Sequence, residues 1–199
     1  MRSRTNLKVL ILDTDYYARE ALNGYLAWDR RTRVVHLADT VDSVRAYVRG
    51  CDPTEWPDVL LLDPQAAASP QALAALVEEL EKTIPRVMTL VLDRQLNLEA
   101  VRAVARVNAN GYLLRDEVQI TIAWVIWWAQ PYDFVLTRRV KEALRGEFDR
   151  RLFDAAVVPP RRSFERLTGR VRQALELYVV KGMSAQLTAD EMGIGAHTI

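Results

Sequence analysis

The sequence predicts an α/β fold: a five-stranded, parallel, doubly wound (βα)5 unit over residues 1–130, a linker helix within 131–162, and a small all-α unit over 163–199. Three observations carry this. Short apolar runs alternate with amphipathic segments every ~25 residues, and parallel strands need such crossover helices. The runs are continuously apolar, as strands covered on both faces are. Beyond residue 162 the alternation stops, and two helical patterns meet at a glycine-containing turn.

The predicted strands are Lys8–Leu12, Val34–Leu37, Asp58–Leu62, Val87–Leu92 and Gly111–Leu114. Helices Tyr17–Trp28, Val41–Arg49, Pro70–Lys82 and Leu98–Val107 lie between them, and Val118–Ala129 follows the last strand. Ser69 before Pro70 is an N-cap followed by a first-turn proline, and Gly50 ends the second helix. "TRRVKEALRGEFDRRLF" reads as one charged helix, which "VVPPRR" breaks with two prolines. In the last unit Thr168 caps a helix to about Val180, Gly182 stops it, and Ser184–Met192 forms a second helix before the Gly193-Ile194 turn.

Composition is that of an ordinary globular chain, with 50% hydrophobic and 27% charged residues. The longest apolar run, Ile122–Ala129, is far short of the ~20 residues a membrane span needs. The basic N-terminus meets Asp13 too early for a signal peptide, so the expected location is cytoplasmic. The single cysteine, Cys51, excludes an internal disulfide framework, and with two histidines it cannot build a zinc site. Residues 1–130 carry 15 basic and 17 acidic side chains, while 131–199 carry 12 and 9. The mildly basic end is compatible with nucleic acid, although a solvated face gives the same balance. No nucleophile–base pair or glycine-rich phosphate loop points to an enzyme.

In a five-stranded sheet of order 2-1-3-4-5, the first and third strands flank the topological switch point. Asp13 follows the first strand and Asp63 the third, so both carboxylates are expected in one crevice. "VLILDTDYYAREAL", "PDVLLLD" and "GYLLRDE" resemble, in order and spacing, the receiver domain of response regulators. "LTGRVRQALELYVVKGMSAQLTADEMGIGAHTI" resembles the LuxR-type helix-turn-helix that follows such receivers in the NarL/FixJ family. The resemblance implies a DNA-binding transcriptional regulator, commonly dimeric, switched by aspartyl phosphorylation with Mg2+ and a sensor histidine kinase.

Residue by residue, the resemblance makes Asp63 the phosphoacceptor position and Asp13 the first acid, each a potential Mg2+ ligand. The second acid is replaced by Thr14, with Asp15 one step beyond. The hydroxyl position of the fourth strand falls at Val91 and the lysine position at Arg115. Val91 donates no hydrogen bond to a phosphoryl oxygen, and planar Arg115 is not equivalent to a compact ammonium. The expectation is therefore an atypical receiver, switched by dimerisation or by a ligand or partner. The alternatives are a conventional phosphorylation-activated regulator, or an interaction protein that does not bind DNA.

Trp124, Trp127 and Trp128 crowd the predicted fifth helix, where they either pack the core or form a homodimer interface. By resemblance, His197 and Thr198 are the first residues of the DNA-recognition helix. The segment stops there, so it is expected to bind DNA poorly without the remainder of that helix. No membrane partner is expected.

Overall fold

A computed structural model describes residues 6–160 and 168–195. The chain divides into two compact units, Met1–Arg161 and Arg162–Ile199. The first is built on a parallel sheet of strands β1 (Leu7–Leu12), β2 (Thr32–Ala38), β3 (Val59–Leu62), β4 (Met88–Asp93), β5 (Gly111–Leu114), β6 (Val135–Leu136) and β7 (Ala156–Val157). Their order is 2-1-3-4-5-6-7. The sheet therefore has seven strands rather than the expected five, while the expected 2-1-3-4-5 order stands within it.

Helices α1 (Tyr16–Ala27), α2 (Val41–Gly50), α3 (Pro70–Thr83) and α4 (Leu98–Ala105) make the crossovers. Each starts with a side-chain cap, from Asp15, Thr40, Ser69 and Asn97 respectively. The central strands β1, β3, β4 and β5 are buried on both faces and alternate between two cores, while the edge strand β2 is mostly half-buried. Leu10, Leu12, Leu60, Leu62, Val91 and Tyr112 pack with residues of α2, α3 and α4. Val9, Ile11, Val59, Leu61, Leu90 and Leu92 pack with Leu22 and Leu26 of α1 and with the last helix of the five-strand region. The predicted helix Val118–Ala129 is in fact two: α5 (Arg115–Val118) and α6 (Ile122–Ala129), joined by a tight turn at Gln119–Thr121.

The segment read as a linker belongs to the sheet. Phe134, Val135 and Leu136 are fully buried, and Val135 pairs in register with Gly111 of β5. A Cβ at Gly111 would lie 2.5 Å from a Val135 methyl and 2.7 Å from its carbonyl oxygen, so only glycine admits β6 this closely. The expected single charged helix is split into α7 (Arg138–Ala143) and α8 (Arg150–Phe153). Gly146, at φ +90°, turns the chain between them. Val140, Leu144 and Leu152 bury this hairpin in the α2–α4 core.

Arginine pins the addition in place. The Arg151 guanidinium donates to the carbonyls of Ala105 (3.0 Å), Ala109 (2.6 Å) and Val107, where α4 ends, and to Asp133 Oδ2 (3.0 Å). These are carbonyls that a helix end leaves without partners. Strands β6 and β7 are two residues long each and lie beside a strong helical pattern, which is why periodicity alone missed them.

The second unit contains α9 (Gly169–Leu175), a π-helical turn at Glu176–Val180, and α10 (Ala185–Met192). Ser184 caps α10, accepting from Leu187 N at 3.2 Å, and Gly182 and Gly193 adopt the left-handed conformation that ends each helix. Leu177, Ala189 and Met192 form its buried side. His197 and Thr198 lie outside the described residues.

Candidate functional site

Parallel pairing of β1 and β3 puts Leu12 opposite Leu62, so the next residues, Asp13 and Asp63, stand side by side at the carboxyl edge of the sheet. Both are buried, at 1% and 2% exposure. The expected crevice is therefore present as a geometry, and its four carboxylate oxygens are all engaged. Asp13 Oδ1 accepts Asp15 N (2.9 Å), and Asp63 Oδ1 accepts Gln65 N (3.1 Å). Thr14 Oγ1 donates to Asp63 Oδ2 at 3.1 Å. The remaining oxygen, Asp13 Oδ2, lies 2.6 Å from Arg115 Nη2, which also lies 3.5 Å from Asp63 Oδ1.

The Arg115–Asp13 contact is an ion pair rather than a hydrogen bond, because the N–H directions miss the oxygen and neither atom has a hydrogen-bond partner. The guanidinium is anchored by Nε, which donates to the Leu92 carbonyl at 3.4 Å. Its turn is held from the β6 side: Leu114 N donates to Thr137 Oγ1 (3.1 Å), and the Glu117 carboxylate accepts Arg139 N (3.2 Å). The late strands thus position the cation of the site.

Asp15 has a different occupation. Its carboxylate caps α1, accepting from Tyr17 N and Ala18 N, and pairs with Arg94 Nη2 at 2.9 Å. The Ala18 amide, aided by Arg94, holds its pKa below the ordinary value. Asp13 moves the other way. Burial pushes its carboxyl up, and the Asp15 amide and the Arg115 charge offset only part of that.

Val91 does not reach the site. It pairs with Leu62, one residue short of Asp63, and its side chain is fully buried in the α2–α4 core. The strand reaches the edge at Asp93, two residues on, which sequence reasoning missed. An apolar run leaves the end of a strand uncertain by such a step. Asp93 is buried at 2%, accepts Gln95 N at 3.1 Å and accepts the hydroxyl of fully buried Tyr112. Burial first, then that carboxylate, drives the Tyr112 phenol far above its ordinary range.

The arrangement does not fit Mg2+. That ion needs oxygens at ~2.0–2.1 Å in octahedral geometry. Here the guanidinium lies 2.6 Å from Asp13 Oδ2 and 3.5 Å from Asp63 Oδ1, in the space between the two acids that a metal would take. Among the described residues no group of three or more His, Cys, Asp or Glu side chains is placed to hold an ion.

The three tryptophans of α6 are half-buried. Trp124 and Trp128 stack at 6.1 Å and pack against the α1-side core, and Arg31 lies over Trp127 at 5.6 Å. No helix among the described residues is long and apolar enough to cross a membrane.

No family model and no curated protein matches the chain. Solved structures do match in fold. RcsB from Salmonella enterica serovar Typhimurium, bound to promoter rprA with a phosphomimetic, is 16% identical, covering 98% of this chain and 87% of that one at a TM-score of 0.56. An RcsB–DNA complex, also 16% identical, covers 98% and 86% at 0.60. The signal receiver domain of a DNA-binding response regulator from Colwellia psychrerythraea 34H is 12% identical, covering 63% and 98% at 0.52. The chain thus shares its fold with these response regulators, an α/β unit followed by a helical unit.

Proposed function

We propose that the chain is a DNA-binding transcriptional regulator of response-regulator type, working as a homodimer, whose receiver is not switched by aspartyl phosphorylation. The observation that carries the reading is Arg115 Nη2 seated between Asp13 and Asp63. Phosphoryl transfer to a carboxylate needs a cation on the transferring group. Here a tethered guanidinium takes the cation position, 2.6 Å from Asp13 and 3.5 Å from Asp63. The carboxylate of Asp93, at the end of the neighbouring strand, would repel a phosphoryl group rather than donate to it.

In this reading the second unit contacts DNA through its helix-turn-helix, His197 and Thr198 included, and a sensor histidine kinase has no role. The test is incubation with acetyl phosphate and Mg2+, followed by intact mass measurement. No stoichiometric phosphoryl adduct is expected. Stoichiometric Mg2+-dependent labelling, abolished by Asp63→Asn and accompanied by a change in DNA affinity, would refute the proposal. DNA binding by the complete gene product is expected to weaken steeply with salt as counterions compete for phosphates.

A further inference from the structure

The outward stripe of α1 breaks the rule for a surface helix, whose solvent face is normally charged. At ~100° per residue, Tyr17, Ala21, Gly24 and Trp28 fall within about 60° of one another, opposite the buried Leu26. None of the four carries a charge. Tyr17 is 81% exposed and Trp28 is 93% exposed, with Tyr25 beside them at 41%. Trp28 continues the helical conformation as the C-cap, so the stripe spans the whole helix.

We infer that this stripe is the contact surface for a second copy of the chain, packed antiparallel on its counterpart about a two-fold axis. The pattern along α1 is self-complementary under that operation. An axis between Leu22 and Asn23 brings Ala21 of one copy onto Gly24 of the other, and Tyr17 onto Trp28. Small residues at the crossing allow close approach of the backbones, and the space beyond Gly24 is open. Aromatic pairs then close both ends.

Arg30, just past the end of the helix, is exposed and makes no ion pair among the described residues. Antiparallel packing brings it toward the start of the other helix, where Asp15 already pairs with Arg94, and opposes the two helix dipoles. Covering Tyr17, Tyr25 and Trp28 removes roughly 500 Å2 per copy, about 1,000 Å2 in all, on the usual area of a buried aromatic side chain. That is the floor for a specific interface, so weak, reversible association is expected. Because α1 packs beside α6, this surface also places the open aromatic face next to the half-buried tryptophans rather than on them.

The inference deepens only the dimeric part of the proposed function, and its readout is mass, which phosphorylation chemistry does not enter. The experiment is sedimentation of the whole chain from about 1 to about 200 µM. Wild type is expected to pass from monomer to dimer. Ala21→Arg and Trp28→Ala, both at exposed positions and checked for folding by circular dichroism, are expected to weaken association at least ~20-fold. An equal mixture of Ala21→Arg and Ala21→Glu is expected to regain the dimer, which damage to the fold cannot do. A wild type that stays monomeric at the highest concentration overturns the inference and leaves the stripe to a different protein. A dimer that persists in both single variants overturns it as well.

Discussion

Replacing Arg115 by methionine deletes the cation of the crevice while keeping an apolar stem of similar reach. The Arg115 side chain is 17% exposed and that of Asp13 is 1% exposed, so solvent screens the pair little. At 2.6 Å and 3.5 Å the two attractions are large, but the cost of drying the groups offsets much of each. Breaking such a pair from one side strands the other charge, which costs about 3–5 kcal/mol. With a urea slope of ~2 kcal/mol per molar for a unit of this size, the midpoint should fall by about 2 M.

The effect should depend on pH. Burial already raises the Asp13 carboxyl above its ordinary value of 3.8. A raised acid stabilises the fold fully below its unfolded pKa, and that contribution is lost as pH rises through the folded value. Removing Arg115 raises the folded value further, so the penalty is largest at neutral pH and shrinks as pH falls toward about 4. Urea titrations of wild type and Arg115→Met at several pH values read this directly. Equal midpoints at neutral pH, or a gap that does not narrow in acid, would refute the reasoning.

Gly111→Ala should destabilise the first unit by about 3 kcal/mol, because the new methyl meets the Val135 side chain and carbonyl within 2.7 Å. Hydrogen exchange should accelerate at Leu114 and across β6, and unchanged protection there would contradict the close-approach argument. Arg151→Ala should cost about 3 kcal/mol by abandoning the carbonyls at the end of α4, measured as a lower thermal midpoint with α4 amides exchanging faster. Tyr112 should stay un-ionised in the folded protein, so Tyr112→Phe should leave the alkaline absorbance titration of the folded chain unchanged. A titration that loses one of seven equivalents in that variant would show an accessible phenol.

The α/β class, the five principal strands and the meeting of Asp13 with Asp63 were legible because they depend on long-range rules. Continuous apolar runs, crossover lengths and parallel register propagate along whole elements and tolerate small errors. What was not legible depends on single residues at element ends. A shift of two positions along β4 exchanges core Val91 for edge Asp93, and both satisfy the same apolar pattern up to that point. Strands of two residues, such as β6 and β7, carry almost no periodicity of their own; Gly111, read as the opening residue of a strand, was the one local sign of a close neighbour. The open stripe of α1 was not legible because Trp124, Trp127 and Trp128 concentrate the aromatic signal in α6, where Trp124 and Trp128 pack on the α1-side core.

Arg115 can be regarded as a ligand attached to its own receptor. A free ion occupies a crevice according to its concentration and leaves when a chelator removes it from solution. A guanidinium on a short chain from the end of β5 stays beside the crevice whatever the ion content of the solution. On the function proposed above, such a crevice responds neither to magnesium supply nor to chelators. A proton on Asp13, or movement of the β5–α7 region that carries the tether, would change its occupancy. The domain would then take its input from acidity or from the position of its own backbone.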